Sequence, residues 1–574
     1  MKSIGEARNA ADRTKPQNKY KDVCRNTYSF SVMMKHKYIV VTGSLMSGLG
    51  KGIVTSSILK LLKLYGVKSL PIKFDGYLNY DCGTMNPFRH GEVFVLDDKG
   101  EVDMDFGNYE RFLNESVSSE LSITGGKLFS EVISRERRGE YLGRDVQIIP
   151  HITDYLKDRI KDVAERKKLE VLVIEVGGTV GDIENSYFIE AMRQLSSEED
   201  VTFINLTYVP ELEGVGEQKT KPTQIALRSL MQMGIRPKFI ICRSQRPLEE
   251  STREKIALFA SIKPQRVIDD SEIKNIYELP IKLMRQNFDK MLLEELGFEN
   301  RKMDKKGLKS WKNFVDFLND GVRNRAKVAV VGKYVKLRDS YASVKEAVTH
   351  AAYANDAKVD LEWIESETLE GKSGSEIKNI LDSYDGIIVP GGFGKRGIEG
   401  MINAIEFSRE NDRAYLGLCL GMQLMAIEYA RNVCRLKNAN SSEFDPKTKH
   451  EIIGLMEDQK SVKLKGGTMR LGAWPVQISK GTLAYDAYGS QKASERHRHR
   501  YEFNNKYKQI LSRNGLVISG TSPDKRIVEI IEWSSRLGIG TQAHPELKSR
   551  PEDPAPLFRA FMKAAVEHNR KVSS

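Results

Sequence analysis

Apolar residues in this 574-residue chain occur mainly in short runs rich in Val and Ile, each followed by glycines or polar residues and then by a helical pattern. This alternation predicts parallel strands joined by helices, because strands buried on both faces read as continuous apolar runs. In the first half of the chain the runs are KYIVVTG (37–43), VKSLPIKFD (67–75), VLVIEVGG (171–178), VTFINLTYV (201–209) and KFIICRS (238–244).

Residues 296–325 interrupt the pattern with a charged stretch, which we interpret as a linker. We therefore expect an α/β protein with two doubly wound, mainly parallel-sheet domains at 37–295 and 326–574, preceded by a mobile extension at 1–36. In the second domain the strand signals are AKVAVVGKY (326–334), KVDLEWIES (358–366), DGIIVPGGFG (385–394), AYLGLCLG (414–421), IVEIIEW (527–533) and LGIGTQAH (537–544).

The amino-acid composition limits the classes of protein to which the chain can belong. The 40% hydrophobic and 29% charged residues are typical of a soluble globular protein, and no run reaches the roughly 18 apolar residues that span a bilayer. Five scattered cysteines are typical of a reducing, cytoplasmic compartment and argue against a disulfide or zinc framework. The net charge of +12 is spread along the chain, so we expect no nucleic-acid partner.

The first strand leads into GSLMSGLGKG (43–52), a glycine-rich turn before a helix. Exposed backbone N–H groups and the helix dipole favour phosphate there, with Lys51 adding a full charge. Gly52 stands where many such loops carry the Ser or Thr that holds magnesium. We therefore expect carboxylates to hold the metal: Asp103 and Asp105 on one face of an extended segment, and Glu175 at a strand end.

QKTKPTQ (218–224) places Lys219 and Lys221 just before a helix that Pro222 could start. By composition alone, a phosphate-binding segment and a solvated loop are equally good interpretations.

GLCLG (417–421) has the form of a nucleophile elbow, in which glycines allow a tight strand-to-helix turn around Cys419. His544 follows an apolar strand and is the candidate base, and Glu546 two residues later can orient its ring. PGGFG (390–394) offers a turn for an oxyanion. The alternative for Cys419 alone is a small buried hydrophobe.

RHRHR (496–500) invites a metal or nucleic-acid interpretation, but two histidines without a third ligand make a poor zinc site. Alternation places its arginines on one face of a strand, which favours a clamp for a substrate carboxylate.

PGGFG, GLCLGMQ (417–423) and HPE (544–546) resemble motifs of the class I glutamine amidotransferase family. Taken with further motifs, they make the chain similar to the CTP synthase family from about residue 38 to about residue 565. Those further motifs are TGSLMSGLGKG (42–52), HGEVFVLDDKGEVDMDFGNYERF (90–112), EVGGTVGDIE (175–184) and GEQKTKPTQ (216–224).

The resemblance implies two active sites. At the first, ATP phosphorylates the 4-oxygen of UTP and ammonia displaces the phosphate to give CTP; at the second, Cys419, His544 and Glu546 release that ammonia from glutamine into an internal channel. The resemblance also implies Mg²⁺ with ATP, GTP as an activator, CTP as an inhibitor, and a homotetramer that sometimes forms filaments.

Site residues carried over by motif position fall into four groups. Glutamine binding is expected at Gly392, Leu420, Gln423, Glu443 and Arg500; ATP binding at Ser47, Gly48, Leu49, Gly50, Lys51, Gly52, Ile53, Lys73 and Asp105; the metal at Asp105 and Glu175; and UTP or CTP binding at Ser47, Gln147, Asp182, Ile183, Glu184, Lys219, Thr220, Lys221, Pro222, Thr223, Gln224 and Lys255.

Three positions depart from the family pattern: Ser44 and Gly76 replace a usual glycine and proline, and Cys82 lies in a region that is often proline or alanine. Two competing hypotheses stay open at this point. One is another amidotransferase-coupled ATP ligase that amidates a cofactor carboxylate; the other is a non-catalytic phosphate-loop switch or filament protein.

Overall fold

The computed structural model describes residues 36–574 except 87–89, 213, 215, 321–323, 336, 457–458, 460–466 and 574. The extension predicted at residues 1–36 therefore lies outside the described residues, apart from its last position. Within the described ranges, none of the helices combines the length and the apolarity that crossing a membrane requires.

Five strands of the amino-terminal half (β1, β2, β6, β7 and β10 below) coincide with the five predicted apolar runs, and the other six were not predicted. The strands are β1 (Lys37–Gly43), β2 (Ser69–Asp75), β3 (Phe94–Val95), β4 (Glu101–Val102), β5 (Ser122–Thr124), β6 (Val171–Val176), β7 (Asp200–Tyr208), β8 (Glu211–Leu212), β9 (Glu217–Gln218), β10 (Phe239–Ser244) and β11 (Val267–Ser271). The helices are α1 (Lys51–Leu64), α2 (Asp105–Leu113), α3 (Gly125–Arg137), α4 (Thr153–Arg166), α5 (Ser186–Glu198), α6 (Lys221–Gln232), α7 (Glu250–Ala260), α8 (Leu279–Arg285) and α9 (Phe288–Glu295).

Seven of these strands form one sheet in the order β11-β10-β7-β1-β6-β2-β5, and every pairing in it is parallel. The central strand β1 is buried on both faces, which explains its unbroken apolar sequence. The register of the strands determines where a site can form. Val41 and Lys73 both pair with Glu175, so the carboxyl ends of β1, β2 and β6 meet at one edge of the sheet. Ligands of open α/β sheets bind at that edge.

The segment predicted as a linker contains a packed helix, α10 (Lys305–Asp320). Its Trp311 and Phe314 are buried, the Trp311 indole N–H donates to the Tyr277 carbonyl oxygen at 2.9 Å, and the Lys60 ammonium lies 4.1 Å from the centre of the indole ring. The helix therefore rests on the amino-terminal half.

The carboxy-terminal half holds a second large sheet. Its strands and those of a small neighbouring sheet are β12 (Asn324–Gly332), β13 (Ala357–Glu365), β14 (Gly386–Val389), β15 (Ala414–Leu418), β16 (Ala439–Ser441), β17 (His450–Leu455), β18 (Arg470–Ile478), β19 (Lys492–His499), β20 (Tyr501–Phe503), β21 (Leu516–Thr521), β22 (Val528–Trp533) and β23 (Gly538–Thr541). The helices are α11 (Ala342–Ala354), α12 (Gly374–Leu381), α13 (Ile398–Glu410), α14 (Leu420–Asn432), α15 (Leu483–Tyr488), α16 (Lys508–Arg513) and α17 (Pro556–Ser573).

The nine-stranded sheet has the order β13-β12-β14-β15-β23-β22-β21-β18-β19. Pairing is parallel from β13 to β23 and antiparallel from β23 to β19. The predicted two-domain, parallel-sheet α/β architecture is confirmed, and the antiparallel half of the second sheet is an addition that the apolar runs did not indicate.

One local expectation is wrong. Asp103 and Asp105 do not share an extended segment, because α2 begins at Asp105. The Asp105 backbone N–H donates to the Asp103 side chain at 2.9 Å, which is a turn that aspartate readily forms. Both carboxylates nevertheless face Lys73.

The described chain from His36 onward forms one compact unit, and strand β19 joins its two halves. Arg496 is buried and donates bidentately to Glu110 at 2.9 Å and to Asp97 at 2.7 Å. Arg498 donates to Glu101 at 2.8 Å and to the Gly83 carbonyl oxygen at 3.0 Å. The arginine face predicted for this strand exists, but two of its arginines hold the amino-terminal half rather than a substrate.

We predict that Arg496→Ala lowers the free energy of unfolding of the docked halves by about 3–5 kcal/mol, because it leaves the buried Glu110 carboxylate without its bidentate partner. Calorimetric melting of the purified protein measures the effect. Arg526→Ala is the control, since the Arg526 side chain is 85% exposed. Equal melting of the two variants would contradict the assignment.

Candidate active sites

Cys419 lies on a sharp turn between β15 and α14. Its φ of 49° and ψ of −95° are unusual for a residue with a side chain, and its backbone N–H donates to the Thr541 carbonyl oxygen at 2.7 Å. Such a conformation stores strain that the surrounding structure must hold. The turn presents the thiol at the amino end of a helix, where the helix dipole favours a thiolate.

The flanking glycines are a steric requirement. A Cβ on Gly417 would lie 2.7 Å from the carbonyl carbon of Gly421, and a Cβ on Gly421 would overlap the carbonyl oxygen of Val389. Any side chain at either position would push α14 away from the sheet. The spacing G-x-C-x-G therefore follows from how closely the strand and the helix approach each other.

His544 and Glu546 take the positions expected of a base and its orienting carboxylate. The Nδ1 atom of His544 lies 2.7 Å from Oε1 of Glu546, and Nε2 is buried with no hydrogen-bond partner among the described residues. Burial lowers the pKa of His544, but the Glu546 carboxylate and the Cys419 sulfur outweigh burial and raise it to about 10. A protonated imidazole beside the sulfur stabilises the thiolate.

A cavity of about 330 Å³ opens on one side of Cys419. Four of the five residues predicted to bind glutamine line it: Gly392, Gln423, Glu443 and Arg500. The fifth, Leu420, lies behind Gly392, since a Cβ on that glycine would be 3.4 Å from a Leu420 methyl group.

A smaller cavity of about 110 Å³ is also lined by Cys419. His544 and Glu546 line it together with Glu92 and Val93, which belong to the amino-terminal half. The Glu92 carboxylate accepts from the backbone N–H of Ser343 at 3.0 Å. Cys419 thus lines both the cavity of the predicted glutamine-binding residues and a smaller cavity that the amino-terminal half helps to line.

Lys333 is a residue of this site that the sequence motifs missed. Its ammonium group donates to the carbonyl oxygens of Phe393, at 3.2 Å, and of Gly394, and the Gly394 N–H donates to Glu443 at 2.8 Å. Burial lowers the pKa of Lys333 to about 8. The PGGFG loop is therefore held from both sides, although VGKY at the end of a strand carries no recognisable signal of this contact.

At the amino-terminal site, the glycine-rich turn takes the geometry expected of a phosphate cradle. Gly48 and Gly50 have φ of 77° and 88°, and α1 begins at Lys51. The Lys51 side chain folds back across Gly43, where a Cβ would be 2.9 Å from it, and donates to the Gly178 carbonyl oxygen at 2.7 Å. Burial lowers the pKa of Lys51, opposed by Glu175.

Lys73 lies among four carboxylates: Asp75, Asp103, Asp105 and Glu175. Burial raises the pKa of Glu175, and burial with the neighbouring acids raises that of Asp103 to about 7, against the opposing charge of Lys73. The cluster therefore contains more acidic groups than its one lysine can pair with. Such a donor set fits a hard divalent cation.

Gly52 explains the missing Ser or Thr of this loop. A Cβ at this position would overlap the Asp105 carboxylate, so the acid occupies the space that a side chain after Lys51 would need. Across the described ranges, no three His, Cys, Asp or Glu side chains already converge as a metal-binding group. Magnesium that is bound mostly by phosphate and water needs only one or two protein carboxylates.

A cavity of about 390 Å³ lies beside the cradle and is lined by Gly48, Leu49, Gly50 and Ile53 of the predicted ATP set. Of the remaining members, Ser47 is exposed, while Lys51, Gly52, Lys73 and Asp105 form the adjacent polar cluster. Other lining residues were not predicted: Arg243, Asp270, Ile273, Tyr277, Lys345 and Glu346. Arg243 and Asp270 could have been found, because both lie at the carboxyl ends of adjacent parallel strands.

The predicted UTP and CTP residues are less concentrated. α6 begins at Lys221 with Pro222 in its first turn, as expected. The Asp182 side chain caps its own turn by accepting from the Thr179 backbone at 2.8 Å. Most of the set is exposed and lies outside the three cavities described above: Ser47, Gln147, Asp182, Ile183, Glu184, Lys221 and Lys255 are exposed, Lys219, Thr220, Pro222 and Gln224 are half-buried, and Thr223 is buried.

The three departures from the family pattern are accommodated. Ser44 is buried and its hydroxyl accepts from Asn205 at 2.9 Å. A Cβ on Gly76 would be 2.7 Å from the Glu184 carbonyl oxygen, so the glycine lets that turn pack closely. Cys82 is buried 3.2 Å from the Tyr77 hydroxyl, and burial raises the pKa of its thiol to about 12.

Comparison with known proteins places these sites in context. Residues 37–298 match the family model described as CTP synthase N-terminus, and residues 336–564 match the one described as glutamine amidotransferase class-I. The chain is 50% identical to a CTP synthase of Pyrococcus furiosus over 93% of its length and 99% of the relative. It is 48% identical to a CTP synthase of Caldanaerobacter subterraneus subsp. tengcongensis over 94% of its length and 99% of the relative.

A solved structure of the glutaminase domain of Trypanosoma brucei CTPS with bound acivicin is 39% identical to the chain. It covers 42% of the chain and 94% of its own length, with a TM-score of 0.40.

The raised pKa of His544 predicts a pH-dependent contribution to stability. The folded protein holds this proton more tightly than the unfolded chain, whose value is 6.5, so the stabilisation is complete below about pH 6.5 and is lost as the pH rises to about 10. The melting temperature of His544→Gln should fall furthest below wild type near pH 6, and the gap should close toward pH 10.

A Glu546→Gln background is the matched control, because it removes the carboxylate that raises this pKa. In that background, the difference in melting temperature caused by His544→Gln should depend much less on pH. A gap that widens with pH would contradict the assignment.

Proposed function

The chain belongs to the CTP synthase family, and on that premise we propose how its residues carry out the ATP-dependent amination of UTP with ammonia taken from glutamine. The observation that carries the proposal is the position of Cys419 between two cavities. One cavity is lined by predicted glutamine-binding residues, and the other is lined in part by Glu92 and Val93 of the half that holds the phosphate cradle.

In the glutaminase half, the Cys419 thiolate attacks the glutamine amide carbon, and the protonated His544 ring gives its proton to the departing ammonia. A thioester remains, and water activated by His544 hydrolyses it to glutamate. Glu546 holds the ring by its Nδ1 atom at 2.7 Å and stabilises its charge. Arg500 lines the same cavity and is suited to the substrate carboxylate.

In the synthetase half, the γ-phosphoryl group of ATP passes to the 4-oxygen of UTP, leaving ADP. Ammonia then attacks carbon 4, and inorganic phosphate departs with the oxygen. Lys51 and the backbone N–H groups of 48–50 bind phosphate oxygens as charge develops. Release of ammonia inside the protein avoids its protonation in water, which would destroy the nucleophile.

Asp105 and Glu175 are the residues we propose to hold Mg²⁺, and the excess of carboxylate groups over ammonium groups around Lys73 supports this choice. When bound with ATP, the ion supplies charge neutralisation at the phosphates. We extend the resemblance to GTP activation, CTP inhibition at Asp182 and Glu184, assembly as a homotetramer or filament, and a cytoplasmic location. These remain predictions that rest on the family alone.

We predict that Cys419→Ala abolishes CTP formation from glutamine and leaves formation from ammonium chloride within about twofold of wild type, because only the glutaminase half loses its nucleophile. The absorbance change of UTP to CTP measures both reactions. Wild-type protein that forms no CTP from UTP, ATP and glutamine would contradict the function itself. Equal losses with both nitrogen sources would contradict separate sites.

Lys51→Ala should reduce CTP formation at least a hundredfold with either nitrogen source. The substitution removes the buried ammonium group that neutralises the outer phosphates. Lys63→Ala on the same helix is the matched control, because Lys63 lies in the last turn and pairs with Glu115 near the surface. Activity that survives Lys51→Ala would show that the cradle is misassigned.

A further inference from the structure

A chain of buried polar side chains connects the cavity beside the phosphate cradle with the catalytic triad. The Tyr277 hydroxyl lies 2.6 Å from a Glu346 oxygen and 2.8 Å from Nε2 of His350. The other ring nitrogen of His350 lies 3.0 Å from the Ser549 hydroxyl. Tyr277 and His350 are 1% and 0% exposed and Ser549 is 2% exposed, so water does not complete these contacts.

The protons of this chain have one consistent arrangement. Burial lowers the pKa of His350 to about 3, so the ring is neutral and carries one proton. Tyr277 donates to the Glu346 carboxylate, so Nε2 of His350 must donate to the tyrosine oxygen, and Nδ1 must accept from Ser549. The Ser549 oxygen in turn accepts from the Ala555 backbone N–H at 3.2 Å.

The two ends of this hydrogen-bonded series, Tyr277 and Ser549, lie at the two sites. Tyr277 and Glu346 line the cavity of about 390 Å³ next to Gly48–Gly50. Ser549 ends the short turn that begins at His544: the Leu547 N–H donates to the His544 carbonyl oxygen at 3.1 Å, and the Ser549 N–H donates to that of Glu546 at 3.4 Å. The hydrogen-bonded series also connects the two halves of the protein, because Tyr277 precedes α8 in the amino-terminal half and His350 lies on α11 in the carboxy-terminal half.

We propose that Tyr277, His350 and Ser549 are positioning residues that transmit occupancy of the nucleotide cavity to the His544–Glu546 turn, so that glutamine is hydrolysed when the synthetase half is loaded. The inference rests on the proposed function and deepens it. A ligand in the cavity contacts Glu346 and Tyr277 directly. A shift of these groups changes the hydrogen bonds of His350 and of Ser549, and Ser549 belongs to the turn that carries His544 and Glu546.

The test removes single hydroxyl groups. Ser549→Ala, Tyr277→Phe and the double variant are compared with wild type for glutamate release with and without ATP plus UTP, and for CTP formation from ammonium chloride. Each single variant should lose about fivefold of the nucleotide-dependent stimulation of the glutaminase kcat, with the KM for glutamine within about twofold of wild type. The double variant should lose no more than either single variant, because both interrupt one chain.

Ser408→Ala and Tyr65→Phe are matched controls, since each removes a buried hydroxyl bonded elsewhere, to the Ala404 carbonyl oxygen and to Asp289. They should leave the stimulation unchanged. Ammonia-dependent CTP formation should stay within about twofold in Ser549→Ala. The inference would be overturned if nucleotides did not stimulate the wild-type glutaminase, or if both single variants kept the full stimulation. Additive losses in the double variant would also overturn it. Wild-type protein that forms no CTP would instead overturn the proposed function.

Discussion

The buried pairing of Arg496 with Glu110 is the constraint on which the two-site arrangement depends. Two half-molecules that pass a small neutral nucleophile between them need a fixed relative position, and β19 supplies it. Arg496 is fully enclosed, and it also donates to the Leu547 carbonyl oxygen at 3.1 Å, directly after the triad carboxylate. The contact that docks the halves therefore also supports the turn that carries His544 and Glu546.

The same strand also contacts Cys419. The Cys419 thiol donates to the Arg498 carbonyl oxygen at 3.8 Å, while the Arg498 guanidinium binds Glu101 and lies 5.2 Å from the Phe393 ring centre. A displacement of the amino-terminal half would thus move the backbone against the sulfur and the loop opposite it. Buried ion pairs add little net stability over apolar packing, but they define one geometry, and one geometry is what this arrangement needs.

Sequence patterns predicted the two α/β domains and most of the parallel strands, because apolar runs are local features. The triad of Cys419, His544 and Glu546 stays a prediction, which rests on glycines at a tight turn and on the i, i+2 spacing of His544 and Glu546. The missed residues depend on long-range packing. Lys333 reaches a loop some sixty residues away, and the chain of Tyr277, His350 and Ser549 joins three distant segments. The extended geometry expected for Asp103 and Asp105 failed because a local turn at Asp103 starts a helix.

The two sites differ in the balance of acidic and basic groups that they contain, and this difference bears on why they are coupled. Around Lys73, four carboxylates face one ammonium group, and burial raises the pKa of Glu175 and of Asp75. Around His544, the Glu546 carboxylate and the Cys419 sulfur raise the pKa of the imidazole to about 10, so the ring holds its proton without any ligand. A site that is ready by itself would hydrolyse glutamine without regard to demand. The restraint that we propose is geometric: the neutral His350 bonds to Tyr277 and Ser549, and these hydrogen bonds can shift without a change in its protonation.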